Sequence, residues 1–439
     1  MNKIDINTLE KLLNEGNAVF ICGNGFSMNF DTSFRSIYDN LKNACNEVSR
    51  NLEYTVKSNR AFEKKCKENY NAVKKKFRSM DKSKVEMIFQ DGYIFAKSIM
   101  ENEKLKNDIK KNHFLTELVF DKNELSLVES IYLTGMNKGI KYISIEHWPI
   151  LIYMYYVINC INPSYYEFPQ NNLFLDFIKE GNYNKVNLLP INETAKSICC
   201  FETIVNGFNN FYKFMFLASI FGDGKAIDIS KLNKVNQLST DKLNFFLNKF
   251  KSLMTLNYDY ILENLTGREV DHLHGKFIVS NDREYVYNQS SRLKYENQYI
   301  SFSDIIIGDY FINKNMVSII NNLNSGRNIN KKIKSESYIL EENFKNNKIE
   351  TVVLFGLNIN DDETSMRSII LALEKARIIE PKIIYCYFED VQATEFKEKY
   401  DKLNIFGKEL TDYGANIEIK LIKTQEILDE YFYKNKKTM

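Results

Sequence analysis

Asn257, Asp259 and His274 are the side chains of this chain whose types and spacing best suit the breaking of a bond. The first two stand in Thr255-Leu256-Asn257-Tyr258-Asp259, and the third follows in His272-Leu273-His274-Gly275. An Asn and an Asp at the end of an apolar run are costly to bury unpaired, so their polar atoms need partners. Asn257 can orient a water or a ribose hydroxyl. Asp259 can fix a ribose or a neighbouring loop, or it can form an Asx turn that caps a helix over Tyr260 to Leu265. His274 precedes a glycine, can reach into a cleft, and carries an imidazole that titrates near neutral pH, as a general base should. The chain has only four histidines, and two of them fall in this short segment. As a metal pair His272 and His274 give a poor signal, and a satisfied core histidine is the other structural reading. His113 and His147 fall in helical stretches and are expected to be structural.

A second segment, Phe20-Ile21-Cys22-Gly23-Asn24-Gly25-Phe26-Ser27, lies across a gap of 227 residues from Thr255. Glycine permits positive φ and close approach of the backbone, which suits a diphosphate. The turn lacks the third glycine of a dinucleotide fingerprint, no acidic residue stands out about 20 positions on, and no Walker pattern is present. A phosphate cradle and a plain tight turn both remain open. A third segment, Leu354-Phe355-Gly356-Leu357-Asn358-Ile359-Asn360-Asp361-Asp362-Glu363, has the same strand-to-helix form. There Gly356 and Asn358 can contact a ribose or adenine, and Asp361 can cap the following helix.

The elements that must position these groups are legible in part. Ile6 to Glu15 reads as an amphipathic helix, with Leu9, Leu12 and Leu13 as its apolar stripe and Gly16 at its C-terminal end. Ala18 to Cys22 reads as a buried strand. A helix is expected from Thr32 or Ser33, which would place a phosphate at a helix N-terminus. From about Asn40 to Asn248 the pattern is helical, with few strand signals and no repeat period. Ser83 to Met100, Glu146 to Ile161 and Thr203 to Phe221 are its clearest helices. Strand signals return at Lys251 to Asn257, Ile305 to Gly308, Glu350 to Phe355, Lys382 to Phe388 and Asn416 to Ile422, with helices such as Glu363 to Arg377 between them. This alternation predicts an α/β fold: a Rossmann-like, doubly wound parallel sheet, joined by the strand near Val19 across a large all-α insertion. Ligands of such sheets sit at the carboxyl ends of the strands, and Gly23, Asn257 and Gly356 each follow a predicted strand.

Composition removes several function classes. A chain of 439 residues is long enough for two domains, and a hydrophobic content of 44% is enough to bury real cores. A net charge of +2 gives no global attraction to nucleic acid or membrane. Lys57 to Lys84 is the exception, with 11 Lys or Arg against 3 acids and with Phe62, Tyr70 and Phe77 interleaved. Such a run can touch a phosphate backbone, but a solvated helix face is the more frequent outcome, and nucleic acid is not the expected partner. None of the seven cysteines (Cys22, Cys45, Cys66, Cys160, Cys199, Cys200, Cys386) forms a C-x-x-C pair, so no metal is expected. Scattered cysteines behind an N-terminus without an apolar leader fit the cytoplasm. The longest apolar stretch, Pro149 to Ile161, falls short of the roughly 20 residues of a membrane span.

Taken together and in order, these motifs resemble the SIR2-like superfamily, and most closely its bacterial antiphage-defence branch, which includes the AbiH-type abortive-infection proteins. Gly23-Asn24-Gly25-Phe26-Ser27 is similar to the family's Gly-Ala-Gly-x-Ser or Gly-Asn-Gly-Phe turn. Thr255-Leu256-Asn257-Tyr258-Asp259 resembles its Thr-x-Asn-x-Asp segment, and Leu273-His274-Gly275 its His-Gly motif. Phe355-Gly356-Leu357-Asn358 with Asp361 resembles its Gly-x-Ser-x-x-Asp segment, with Asn358 where the family often has Ser. Zinc-binding cysteine pairs are missing, which speaks against a sirtuin-type protein deacylase.

The resemblance implies a SIR2-like NAD-binding catalytic domain over residues 1–40 and 249–439; it does not cover residues 41–248, which by their position and apolar content are expected to be a helical insertion for regulation or oligomerisation. It implies NAD as substrate and cleavage of its nicotinamide–ribose bond. Gly23, Gly25 and Ser27 would anchor the diphosphate, with Asn24, Phe26, Thr255, Gly356, Asn358 and Asp361 also in the binding set. His274 would accept a proton from a ribose hydroxyl or water, Asn257 would position the water or ribose, and Asp259 would support that geometry. The implied role is an NAD-depleting effector that is silent at rest, a homo-oligomer answering to a partner defence protein or a phage-derived trigger. Helices as apolar as Glu146 to Ile161 are expected to pack between subunits. The competing readings are a nucleotide-binding regulatory module without catalysis and a nucleic-acid-associated defence component that uses the basic run.

Overall fold

The computed structural model describes residues 1–35, 37–51, 55–57, 63–81, 83–115, 123–184, 194–232, 237–280, 290–295, 298–302, 336–359, 362–405, 408–409 and 412–434. The strand expected over Ile305 to Gly308 and the capping residue Asp361 lie outside them. In chain order the described strands are β1 (Asn2–Lys3), β2 (Ala18–Cys22), β3 (Thr55–Lys57), β4 (Ser252–Thr255), β5 (Asp271–His272), β6 (Phe277–Ser280), β7 (Ser290–Tyr295), β8 (Gln298–Phe302), β9 (Thr351–Phe355), β10 (Lys382–Tyr387), β11 (Asn404–Ile405), β12 (Lys408–Glu409) and β13 (Glu418–Lys423).

The chain is an α/β protein whose main sheet has seven strands in the order β1-β13-β10-β9-β2-β4-β5. Every pairing in it is parallel, from Val19 opposite Ser252 to Lys382 opposite Glu418. Leaving aside the edge strand β1, the chain runs outward from β2 through β4 to β5, then crosses back and runs outward again through β9, β10 and β13. That is a Rossmann-like order, with the direction of winding reversing between β2 and β9.

Both faces of this sheet are covered, which is why its strands read as unbroken apolar runs. Alternation along each strand sends side chains into two different cores. Val19, Ile21, Met254, Val352, Leu354, Ile383 and Tyr385 face one of them, closed by helices Glu336–Asn347 and Glu363–Lys375. Phe20, Cys22, Leu253, Val353, Phe355, Ile384 and Cys386 face the other, closed by Ile6–Glu15, Thr240–Leu247 and the turn Leu428–Phe432. Phe432 stacks on Phe355 with ring centroids 5.4 Å apart, and Phe246 meets Phe20 edge-on at 6.1 Å. Helix Ile6–Glu15 opens with Asp5 accepting from the Thr8 amide, and Gly16 follows it in an extended conformation, not the left-handed one of a glycine cap.

A third core belongs mostly to helices between Tyr38 and Ala226 and is joined by Val56, Tyr258 and Phe277. At its centre Phe77 stacks on Phe211 at 4.2 Å and on Phe177 at 4.1 Å. Helix Pro149–Ile161 is buried here along most of its length, including Ile150, Leu151, Ile152, Met154 and Val157. Its apolar character is accounted for by packing within the chain. The single helix expected over Thr203 to Phe221 is two, Ala195–Val205 and Gly207–Phe221. Asn206 separates them, its Oδ1 accepting from the amides of Phe208 and Asn209 as an N-cap.

Three cations of the basic run are tied down. In helix Glu63–Ser79, Lys74 donates to the Asn51 carbonyl, and Arg78 donates to the carbonyls of Ser49 and Arg50. Those carbonyls sit at the C-terminal end of helix Ile37–Arg50, where cations answer both the unpaired C=O groups and the helix dipole. Lys76 donates to the Asp176 carbonyl, 3.1 Å away in the first turn of helix Leu173–Glu180, and lies over the Phe177 ring. A second sheet, antiparallel and ordered β3-β7-β8-β6, was not anticipated. It pairs Val56, from the helical stretch, with Ser291.

Candidate functional site

At the carboxyl ends of β2, β4 and β9 the three sequence segments converge, because these strands are neighbours in the sheet. The glycine turn does not open into the long helix expected from Thr32 or Ser33. It forms a short helix, Asn24–Ser27, then a 3-10 turn, Thr32–Arg35, before the helix Ile37–Arg50 begins. Here the turns after β2 and β9 press together. The Gly23 amide donates to the Phe355 carbonyl at 3.0 Å, and the Gly25 amide donates to Gly356 at 3.1 Å. A Cβ on Gly25 would lie 2.7 Å from the Gly356 Cα, and Gly356 itself has φ +68°. These glycines are needed so that two backbones can touch at the point where the winding reverses. Their amides are thereby taken and do not point at a diphosphate.

Beside this contact lies a closed hydrogen-bond chain. Asn257 Nδ2 donates to the Gly23 carbonyl at 3.1 Å and to Ser27 Oγ at 2.8 Å. Ser27 Oγ in turn donates to Asp259 Oδ2 at 2.6 Å, and Asp259 Oδ1 accepts the Ile261 amide at 3.1 Å. The Asx turn that caps helix Ile261–Thr266 is thus real, and the same carboxylate also holds the glycine turn, 232 residues earlier in the chain. Because the Gly23 carbonyl can only accept, the orientation of the Asn257 amide is fixed, and Oδ1 remains as its acceptor. Asn257 is partly exposed, whereas Ser27 and Asp259 are buried. Burial holds the Asp259 carboxyl above the ordinary carboxylate value, and the bonds from Ser27 and Ile261 pull it back down. Ser27, with no exposed surface and its hydroxyl bonded on both sides, does not reach a phosphate in this arrangement.

The two histidines of the second segment do different work. His272 is buried on β5, with Nδ1 2.8 Å from the Asn257 carbonyl and Nε2 2.7 Å from Glu263 Oε1. His274 is partly exposed, and its Nε2 lies 3.3 Å from Ser365 Oγ and 4.0 Å from Glu336 Oε2. The two rings face different partners, and among the described residues no group of three or more His, Cys, Asp or Glu is placed to hold a metal ion. Sequence reasoning missed Glu263, Ser365 and Glu336. Each lies in a helix where nothing local distinguishes it from a surface or core residue.

No family model, curated protein or solved structure matches the chain. The site must therefore be read from its own geometry. Of the remaining residues expected in it, Phe26 is buried among Phe20, Phe30, Phe355 and Phe432 and serves the core. Thr255 is buried too, its Oγ1 accepting from the Asn257 amide at 3.0 Å and from the Cys22 thiol at 3.3 Å. Burial pushes that thiol far up, so it stays protonated. The Asn24 side chain donates to the Phe34 carbonyl and ties down the loop. Asn358 is exposed, and its backbone amide donates to the Asp362 carboxylate at 2.8 Å; Asp362 is the N-cap residue of helix Glu363–Lys375, but its side chain bonds no amide of that helix.

Tyr258, between the two polar residues, points away from them. Its ring meets Phe216 edge-on at 5.7 Å, and its hydroxyl donates to Glu146 at 2.7 Å. A second tie runs from Lys225 to the buried Asp31, 2.8 Å apart. The helices and the site segment are therefore in direct contact. Among the described residues no helix is long and apolar enough to cross a membrane.

Proposed function

We propose that this protein is an NAD+ hydrolase that cleaves the nicotinamide–ribose bond, acting as an effector of antiphage abortive infection. The reading takes the chain as a SIR2-like NADase of the AbiH-type defence branch, with residues 41–248 as a regulatory or oligomerising helical insertion. It is not a zinc-dependent deacylase. The observation that carries it is the Asn257–Ser27–Asp259 hydrogen-bond chain at the reversal point of the sheet, which leaves the Oδ1 of the partly exposed Asn257 as an acceptor.

Cleavage of this bond passes through an oxocarbenium-like ribosyl cation and needs a held ribose and a positioned water. Both are hydroxyl donors, and Asn257 Oδ1 is an acceptor, so the chemistry matches. His274, partly exposed two residues beyond β5, is the base that takes the proton from that hydroxyl or water. Support is greatest on the ribose side. At the diphosphate the Gly23 and Gly25 amides and the Ser27 hydroxyl are already bonded, and Asn358, whose backbone amide bonds Asp362, is an exposed polar residue among the described members of the expected set.

The basic run gives no support to a nucleic-acid reading, since Lys74, Lys76 and Arg78 bond helix carbonyls. The test is release of nicotinamide from NAD by purified protein, with and without phage-infected lysate, beside Asn257→Ala and His274→Ala. Removal of a general base lowers turnover by roughly 100- to 10,000-fold. Wild-type protein that releases no nicotinamide under either condition rejects the proposal.

A further inference from the structure

We infer that His272, oriented by Glu263, is a positioning residue that holds Asn257 in place for the reaction; the inference rests on the NAD-cleaving reading given above. His272 and Glu263 are on no part of the proposed chemistry, yet they form a buried pair directly behind it. The His272 side chain is 2% exposed and that of Glu263 18%. A carbonyl oxygen only accepts, so the 2.8 Å contact between Nδ1 and the Asn257 carbonyl requires a proton on Nδ1. The opposite nitrogen, Nε2, shares a proton with Glu263 Oε1 at 2.7 Å. With both nitrogens held, the ring has one orientation, and the Tyr260 ring lies against it at 5.7 Å.

The connection closes on itself. Asp259 Oδ1 accepts the first amide of helix Ile261–Thr266, and that helix carries Glu263. Glu263 fixes His272, and His272 returns to the Asn257 carbonyl. β5 pairs with β4 at His272 opposite Thr255, which brings the ring to the right depth. Asn257 is thus clamped from behind by its carbonyl and from the side by Gly23 and Ser27. Its free Oδ1 can be aimed only while both clamps hold. A carboxylate–imidazole pair that orients another residue is a recurrent supporting device, and small displacements of a positioning group are costly to turnover.

The experiment compares wild-type protein with H272A, H272N and E263A, using NAD under conditions in which the wild type releases nicotinamide. The Asn amide nitrogen occupies the place of Nδ1 and can still donate to the Asn257 carbonyl. H272A is expected to lower kcat roughly 10- to 100-fold with KM changed by no more than about twofold. H272N restores most of the loss, and E263A falls between them. A folded H272A with wild-type kcat overturns the inference, as does a folded H272N no better than H272A. If H272A does not fold, an E263A with wild-type kcat overturns it in turn. The functional reading fails separately, through a wild type that releases no nicotinamide or an N257A that cleaves normally. Crystal structures then decide the placement: an Asn257 side chain displaced by about 1 Å in E263A or a folded H272A, and back in place in H272N, upholds it, and one unmoved in E263A and H272A overturns it.

Discussion

Gly25 and Gly356 touch backbone to backbone, with the Gly25 amide 3.1 Å from the Gly356 carbonyl, and this contact closes the sheet where its winding reverses. A methyl group on Gly25 would meet the Gly356 Cα at 2.7 Å. Backbone cannot swing aside as a flexible side chain can, so Gly25→Ala must force the two turns apart. The expected cost is roughly 2 kcal/mol or more. Gly139→Ala is the comparison, since φ there is +97° but no atom lies within 4 Å of the added carbon. Its cost is backbone strain alone, about 1 kcal/mol. Urea unfolding of the two variants checks the difference.

Ser27→Ala removes the donor to Asp259 and the acceptor of Asn257 together. Leaving such buried groups unpaired costs about 1–3 kcal/mol. The loss should depend on pH. Burial raises the folded carboxyl of Asp259 above its unfolded value of 3.8, so the folded state binds more protons and stability falls as pH rises through that interval. The Ser27 bond opposes this shift, and its removal raises the folded value further. The destabilisation by Ser27→Ala is therefore smaller near about pH 4 than near about pH 7, which paired denaturation curves will read.

Tyr258 and Glu146 link the site segment to the helical core at 2.7 Å. A double-mutant cycle of Tyr258→Phe and Glu146→Gln should give a coupling of about 1–2 kcal/mol, measured by denaturant unfolding. Phe216→Ala, which empties the space under the Tyr258 ring, should cost about 3–5 kcal/mol. If nicotinamide release is detected, Glu146→Gln and Phe216→Ala should change it although both residues lie on the side of the helical core and not among the site residues.

Lys76 donates to the Asp176 carbonyl, so Lys76→Met should lower stability by about 0.5–1 kcal/mol. Retention of nucleic acid in gel shifts should be the same before and after. Burial and the neighbouring Arg78 charge bring the Lys74 ammonium down to about 8. A lysine lowered from 10.5 in the folded state destabilises below about 8 and less so as pH climbs towards 10.5. Lys74→Met should remove that rise in stability, which thermal melts across the interval will show.

The framework was legible wherever local composition decides. Ala18–Cys22 and Ile6–Glu15 lie where the apolar run and the leucine stripe place them. The strands β9 and β10 start or stop within two residues of their expected ends because they are buried on both faces and apolar over most of their length, and β13 does so through alternation of Ile419, Leu421 and Ile422 with charged residues. The antiparallel sheet escaped notice because its strand β3 has only three residues and its partner strands lie far along the chain.

The residues of the site were legible as types but not as contacts. Asn257, Asp259 and His274 stood out because polar side chains at strand ends need partners. Which partners they have depends on distances that no local pattern encodes. Only the folded chain brings Ser27 between Asn257 and Asp259, turns the glycine amides towards a neighbouring backbone, and separates His272 from His274. By itself the sequence determined the alternation of strands and helices and the polar groups at the strand ends. The tertiary structure decided which of those groups hold the fold and which face the surface, because a hydrogen bond is set by position in space and not by separation along the chain.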